Sequence, residues 1–305
     1  MIDEASEAAV VVDAHVHLFP PEVQARREWF GQRDPFFGYL YGAPRARMVS
    51  LERLLADMDR DGVAQAVLAG WPWQNHDLCV EHNTWAMEVI RQWPGRLMAL
   101  AAIQPAAGAA AMRELYRCVA GGFRGVGELN ADGQGFRLSD PEVLAIAQEA
   151  AKLHLPLLLH TNEPVGHEYP GKGALSLRDV YRFIRAVPET EIVLAHWGGG
   201  LPFYELMPEV RAECAHVYYD SAASPLLYSP AVFRHVVDIV GDRRVLFGSD
   251  YPLILQPKRQ REPGFAGILD QVRGHGLPEP ALARVLGRNA LDLFGAAGLA
   301  AGGRA

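Results

Sequence analysis

Short runs of apolar, largely β-branched residues recur along the chain, separated by longer stretches of amphipathic periodicity. The runs fall at residues 10–14, 64–69, 97–103, 125–129, 156–160, 191–195, 217–220 and 245–247. Each is apolar almost throughout rather than alternating, the pattern of parallel strands covered on both faces. Between them the spacing predicts helices over 51–61, 79–93, 109–120, 141–153, 177–187, 202–212 and 230–240. Pro141, Pro202 and Pro230 stand where a first helical turn tolerates a missing N–H. Ser139 or Asp140 is placed to cap the helix that begins at Pro141. Strand–helix alternation repeated eight times over about 250 residues predicts an α/β fold, a (β/α)8 TIM barrel. The chain therefore reads as a single domain over residues 1–305. An open doubly wound sheet is the rival, but no G-x-G-x-x-G follows the first strand, which runs into histidines instead. Segment 19–49 is too long for an ordinary βα connection. Its aromatic residues, among them Trp29, Phe30, Phe36, Phe37, Tyr39 and Tyr41, suit a lid over the barrel mouth or a dimer contact. Ala300–Ala305 reads as a frayed tail.

Composition changes this picture little. At 305 residues, 50% hydrophobic and 21% charged, the chain falls outside the disordered and fibrous classes. Its net charge of −7 argues against a nucleic-acid binder working by phosphate neutralisation. Cys79, Cys118 and Cys214 are odd in number and far apart, with no C-x-x-C, so neither a zinc knuckle nor a disulfide framework is expected. The opening MIDEASEAA lacks the basic region of a secretion signal. No apolar run reaches the roughly 18 residues of a membrane span. A cytoplasmic setting and a small-molecule partner follow, without nucleic acid or membrane and with homo-oligomerisation open.

The chemistry collects at the strand ends. The first strand reads VVVDAHVHLFP, so His15 and His17, two apart on an extended chain, point to one side. Later strands end in GVGELN with Glu128, PLLLHTN with His160, IVLAHWGGG with His196 and VLFGSDYP with Asp250. These polar groups recur at one edge of the predicted barrel, spaced by about 30 residues per βα unit. That edge is the C-terminal face, where barrel enzymes hold their chemistry. Helix capping does not explain the set, because His and Glu are poor N-caps. Four imidazoles and two carboxylates suit Zn²⁺ or another divalent first-row ion. Such an ion activates water and polarises a carbonyl oxygen. Asp250 is then placed to move a proton, and Glu128 to bridge a second ion or orient a ligand.

The motifs DAHVH at 13–17, WPGRLMALAAIQP at 93–105, GFRGVGEL at 122–129, His160, HWGGG at 196–200, FGSDYP at 247–252 and GRNALDLFG at 287–295 extend this pattern over nearly the whole chain. As an ordered set they resemble the amidohydrolase superfamily, and within it the family-2 metal-dependent hydrolases and decarboxylases. The resemblance implies that His15, His17, His160 and Asp250 are metal ligands. It makes His196 either a ligand to a second metal or a catalytic acid/base, and Asp250 also the base. The superfamily's carbamylated bridging lysine has no counterpart near the fourth strand, where Glu128 stands instead. One or two ions are implied, zinc first and manganese as the alternative.

The expected activity is metal-dependent hydrolysis of an ester, lactone or amide bond in a small molecule. The alternative is non-oxidative decarboxylation of an aromatic or unsaturated carboxylic acid. A TatD-like nuclease shares the ligand order, but the acidic charge and the WPGR segment disfavour it, and an inert scaffold has no reason to keep six metal-binding groups. Among the remaining residues, His167 and Trp71 are candidates for the pocket, as are Trp73 and the Lys258, Arg259, Arg261 cluster, which could hold a carboxylate. Gly198–Gly200 read as a tight turn, and His76 and His82 as surface residues.

Overall fold

A computed structural model of the chain describes residues 10–43 and 46–295. The expected tail at Ala300–Ala305 lies outside them. Eight parallel strands form, β1 Val12–Val16, β2 Gln65–Leu68, β3 Leu97–Ala99, β4 Val126–Leu129, β5 Leu157–Leu159, β6 Ile192–Leu194, β7 Val217–Asp220 and β8 Val245–Leu246. Each falls at its predicted apolar run, most of them a residue or two shorter. β1 to β3 pair in order, as do β4 to β8. Parallel bridges Ala101↔Val126 and Val16↔Tyr251 join the two sheets and close the (β/α)8 barrel.

The second of these bridges forms a seam between the first and last strands. Ala14 N–H donates to Phe247 O at 2.8 Å, His17 N–H to Tyr251 O at 2.7 Å and Asp250 N–H to His15 O at 2.9 Å. Asp13 Oδ1 accepts from the Ser249 amide at 3.1 Å and adds a side-chain tie.

In the short strands the middle residue points inward. Val67, Leu158 and Val193 pack in the barrel interior with Val12, Ala14 and Leu246, and Leu293 and Phe294 join the same cluster. The flanking residues Ala66, Leu68, Leu157, Leu159, Ile192 and Leu194 belong to the larger layer between strands and helices. That layer is covered by α4 Leu51–Asp61, α5 His76–Gln92, α6 Ala109–Ala120, α8 Pro141–Lys152, α9 Leu177–Ala186, α12 Val232–Val240 and α13 Ala266–Gly274. α5 begins three residues before its predicted start, because the Asn75 side chain accepts from the Asp77 and Leu78 amides. Asp140 precedes α8 but makes no capping bond. Its carboxylate accepts instead from the Arg137 amide at 2.8 Å. The helix expected over 202–212 is broken into a 3₁₀ segment, His196–Leu206, and a short α10, Pro208–Glu213. Met207 between them is extended, as the residue before a proline prefers.

Within segment 19–49 three short helices form, α1 Pro21–Ala25, α2 Arg27–Arg33 and α3 Pro35–Tyr41. Phe19, Phe30, Phe37 and Tyr41 pack with Trp71 and Trp73 from the loop after β2 into a separate aromatic cluster. The three cysteines are free and buried, and no helix among the described residues is long and apolar enough to cross a membrane.

One buried ion pair holds the β6–β8 side. Glu205 accepts from Tyr219 Oη at 2.6 Å and from Arg244 Nη1 at 3.0 Å, and Arg244 also donates to the carbonyls of Cys214 and Val217. Arg244→Met leaves that buried carboxylate without its cationic partner, with only the Tyr219 hydroxyl donating to it. It is expected to cost about 3–5 kcal/mol, read as a lower urea midpoint at unchanged m-value. A midpoint equal to that of the parent chain would refute this.

Candidate active site

Two strand irregularities aim the site. The register of β1 on β2 shifts between Asp13 and Val16, and that of β4 on β5 between Val126 and Leu129. His15 and Glu128 lie within these shifts, the kind of local kink that re-aims a side chain. Gly127 permits the second: its φ is +125°, and a Cβ there would meet Leu158 O at 2.4 Å. After β6 the chain turns sharply through Gly198 and Gly199, both at φ +59°, the tight turn expected of that triplet.

The side chains so aimed converge. His15 Nε2 and His17 Nε2 are 3.1 Å apart. Glu128 Oε2 lies 3.3 Å from His17 Nε2 and 3.7 Å from His15 Nε2. Asp250 Oδ1 lies 3.5 and 3.9 Å from the same two nitrogens. The other Glu128 oxygen faces His160 Nδ1 at 2.9 Å and His196 Nε2 at 3.9 Å. Of the strand-end groups anticipated from the sequence, His15, His17, Glu128, His160, His196 and Asp250 therefore meet in one place. All are buried except His160, whose side chain is 15% exposed.

Supporting contacts fix which nitrogens face the centre. His15 Nδ1 pairs with Asp220 Oδ2 at 2.8 Å, and His196 Nδ1 lies 3.0 Å from the Ala222 carbonyl. A ring whose Nδ1–H donates outward presents an Nε2 lone pair inward. Asp220 Oδ1 also accepts from the His196 and Ala222 amides, each at 2.9 Å.

The electrostatics are those of a preformed cation site. Burial disfavours charge on His15, but the Asp220 carboxylate and then Glu128 outweigh it, holding the ring's pKa well above the usual imidazole value. For His160 too, burial is overcome by Glu128, and the pKa is raised. Burial alone would push Glu128 up, yet the charge on His160 and the hydrogen bond to His15 hold it well below the usual carboxylate range. A cation entering such a cluster replaces those protons. The donor set fits one. Four donors around an ion at about 2.0–2.1 Å stand roughly 3.4 Å apart in a tetrahedron, and the separations of the His15 and His17 nitrogens from one another and from Glu128 and Asp250, 3.1–3.9 Å, bracket that value. His160 Nε2 is buried with no hydrogen-bond partner and offers a further nitrogen.

The cluster floors a pocket of about 410 Å³ walled by Phe36, Tyr41, Trp71, Leu226 and Leu253, with Tyr169 and His167 from the loop after β5. Trp71 stands edge-on to His17, ring centroids 5.6 Å apart. Trp73 does not line this pocket, and neither do Lys258, Arg259 and Arg261; the arginine in the wall is Arg47. His82, expected at the surface, is 3% exposed. It lies on the inner face of α5, a placement that its polar neighbours Glu81 and Asn83 obscured. Asp220 falls in the strand-end series of the sequence but carries no assigned role there; it is the last residue of β7, and Glu128 the last but one of β4. Asn130 and the Leu226–Leu227 wall were missed because they belong to single-turn helices too short to show a periodicity, Ala131–Gln134, which Asn130 caps, and Ser224–Leu227.

A curated relative, 2-amino-3-carboxymuconate-6-semialdehyde decarboxylase of Dictyostelium discoideum, is 22% identical over 286 residues, covering 83% of this chain and 76% of that protein. Among solved structures, 5-carboxyvanillate decarboxylase of Sphingomonas paucimobilis superposes with a TM-score of 0.74 at 20% identity, covering 94% of this chain and 99% of that one. A dihydroxybenzoic acid decarboxylase from Polaromonas sp. JS666, solved with manganese and the inhibitor 2-nitroresorcinol, gives 0.72 at 18% identity, covering 94% and 97%. These relatives overturn the expectation of ester, lactone or amide hydrolysis and favour its alternative. The physical reason is that strand-end histidines and carboxylates encode where an ion sits, not which bond breaks beside it. The family model described as Amidohydrolase matches residues 12–296, nearly the whole barrel with its strand-end cluster, and the chain belongs to the amidohydrolase family.

Proposed function

We propose that the protein is a metal-dependent, non-oxidative decarboxylase of a small aromatic or unsaturated carboxylic acid. The observation that carries this reading is that His17, Glu128, His160, His196 and Asp250 line one pocket whose other walls are largely apolar, with His15 directly behind His17. The decarboxylase relatives agree with it. An apolar slot between Trp71, Phe36 and Leu226 suits a planar acid, while the cluster receives its polar edge. His15, His17 and Asp250 form one three-donor group and Glu128, His160 and His196 an adjoining one; His15, His17, His160 and Asp250, with Glu128 reaching in from the second group, are the residues that would hold a divalent ion. Imidazole and carboxylate donors accept manganese as well as zinc, and the manganese in the Polaromonas enzyme makes Mn²⁺ the first ion to test. Bound there, the ion supplies Lewis-acid polarisation of substrate oxygens.

The remaining work falls to the chain. Loss of CO₂ exchanges a C–C bond for a C–H bond, so a proton must be held within reach of the substrate carbon. Asp250 and His196 both line the pocket; Asp250 delivers that proton, and His196 orients the substrate. The aromatic helices of segment 19–49 contribute Phe36, Leu40 and Tyr41 to the wall and act as a lid that excludes water.

The test is a panel of hydroxybenzoates, unsaturated diacids, esters and lactones offered to Mn²⁺-loaded protein. CO₂ release in step with loss of an acid is the expected result. Hydrolysis of an ester or lactone without CO₂ release would overturn the proposal. Asp220 supplies a second check. Asp220→Ala frees the His15 ring and the His196 backbone without removing a proposed ligand, and is expected to weaken metal affinity by about 10–100-fold. Competition with a fluorescent chelator reads this directly, and unchanged affinity would show that Asp220 does not set the ring's orientation.

A further inference from the structure

Tyr251 follows Asp250 in the chain, is 1% exposed and lies outside the pocket. Its three polar groups are all engaged. The N–H donates to Ser249 Oγ at 3.0 Å, the carbonyl accepts from the His17 N–H at 2.7 Å, and the hydroxyl donates to Asp57 Oδ2 at 2.8 Å. Phe265 stacks on the ring, with centroids 4.8 Å apart and 13° between the planes. The Phe265 N–H in turn donates to Asp61 Oδ2 at 2.8 Å. Helix α4 thus holds Tyr251 twice, at its hydroxyl through Asp57 and at its ring face through Asp61 and Phe265.

Asp57 is the unexpected member of this arrangement. It is 1% exposed, on the buried face of α4 with Leu54, Leu55 and Met58. Two arginines of the same helix reach it from the surface: Arg53 Nε donates to Oδ2 at 2.8 Å, and Arg60 donates to Oδ1. Replacing a buried ion pair by apolar residues of similar size is often neutral or stabilising, so stability alone does not account for a carboxylate here. What the carboxylate adds is the bond to Tyr251. That residue has two neighbours in the metal cluster, Asp250 through a peptide bond and His17 through its amide. Asp250 stands at φ +65°, a left-handed conformation that a residue with a side chain keeps only where its surroundings hold it.

We propose that Asp57 and Tyr251 are positioning residues, whose hydrogen bond anchors the segment bearing Asp250 and the amide of His17 and so places two donors to the ion. The inference rests on the metal centre of the function proposed above and not on which bond is broken there.

The experiment measures Mn²⁺ affinity of the full chain by competition with a fluorescent chelator, with a urea midpoint for each variant. Tyr251→Phe keeps the ring on Phe265 and leaves Asp57 paired with both arginines. It is expected to weaken Mn²⁺ binding by about 10-fold, as loss of a partner that orients a metal ligand does. Asp57→Ala should match it. Asp57→Asn keeps an oxygen that accepts from Tyr251 and should stay within about 3-fold of the parent, since the bond to the hydroxyl survives. Thr190→Ala is the control for stability alone: it removes a buried bond to the Ala147 carbonyl, 2.9 Å long, ahead of β6 at the other end of the barrel. It should lower the urea midpoint and leave Mn²⁺ affinity unchanged. Parent-like affinity in Tyr251→Phe, an equal loss in Thr190→Ala, or as large a loss in Asp57→Asn as in Asp57→Ala would each overturn the proposal. A parent chain that takes up no Mn²⁺ would overturn the metal centre and this inference with it, whereas one that binds Mn²⁺ but releases no CO₂ from any acid would overturn the decarboxylase reading alone.

Discussion

His17→Ala protein, reconstituted with Mn²⁺ and dialysed, is expected to retain little of the metal held by the parent chain and to turn over at least about 10³-fold more slowly. The magnitude follows from what the ion supplies: several kcal/mol of charge stabilisation in the transition state, at about 1.4 kcal/mol per decade of rate. His17 is the most central donor, with Nε2 within 3.5 Å of His15 Nε2, Glu128 Oε2 and Asp250 Oδ1. Its loss leaves two carboxylates facing one remaining imidazole across a gap. Elemental analysis and steady-state rates on the same sample decide the matter, and His160→Ala should follow the same direction. Full metal content with near-normal turnover in His17→Ala would remove His17 from the ligand set. Titration of stripped parent protein should end at one equivalent, because His17 Nε2 stands within 3.5 Å of His15 Nε2, Glu128 Oε2 and Asp250 Oδ1. An endpoint at two equivalents would instead make Glu128 a bridge, with its Oε1 serving a second ion beside His160 and His196.

Asp250→Asn separates chemistry from metal binding. The amide keeps the size of the side chain and one oxygen toward His17 but loses the capacity to carry a proton. Turnover is expected to fall by about 10²–10⁴-fold, the usual consequence of losing a general acid–base group. Metal content should fall much less than in His17→Ala, and KM should stay within a few-fold, since the apolar walls that bind the substrate are untouched. Reaction in D₂O adds a readout that a structural role would not move: deuterium entry at the product carbon should slow with the overall rate. An Asp250→Asn protein with normal turnover would pass the proton role to His196.

Much of this was legible before any coordinates, for a definite reason. A parallel barrel repeats one unit, so each apolar run announces a strand and the residue after it announces the rim. His15, His17, Glu128, His160 and His196 are visible because polar groups that cap poorly stand at the same edge of several units, and Asp250 completes the series. What stayed hidden depends on contacts across the barrel. Asp220 is one more strand-end carboxylate until its oxygens are seen on His15 and on the His196 amide. The choice of bond was hidden for a further reason: it lies in pocket walls such as Leu253 and Tyr169, which sit in irregular connections. Local capping displaced boundaries elsewhere, as Asn75 did for α5.

The seam between the first and last strands has a wider consequence. His15 and Asp250 are bonded to each other through their backbones there, and they are also proposed donors to the ion. Cargo and clasp are then one object: the ion is bound only by the closed barrel, and by mass action it favours closure by RT ln(1 + [M]/Kd). Thermal resistance and metal affinity in this chain are therefore not separately adjustable. Selection for either one, in a laboratory or in a lineage, would gather substitutions at the same few residues of that seam.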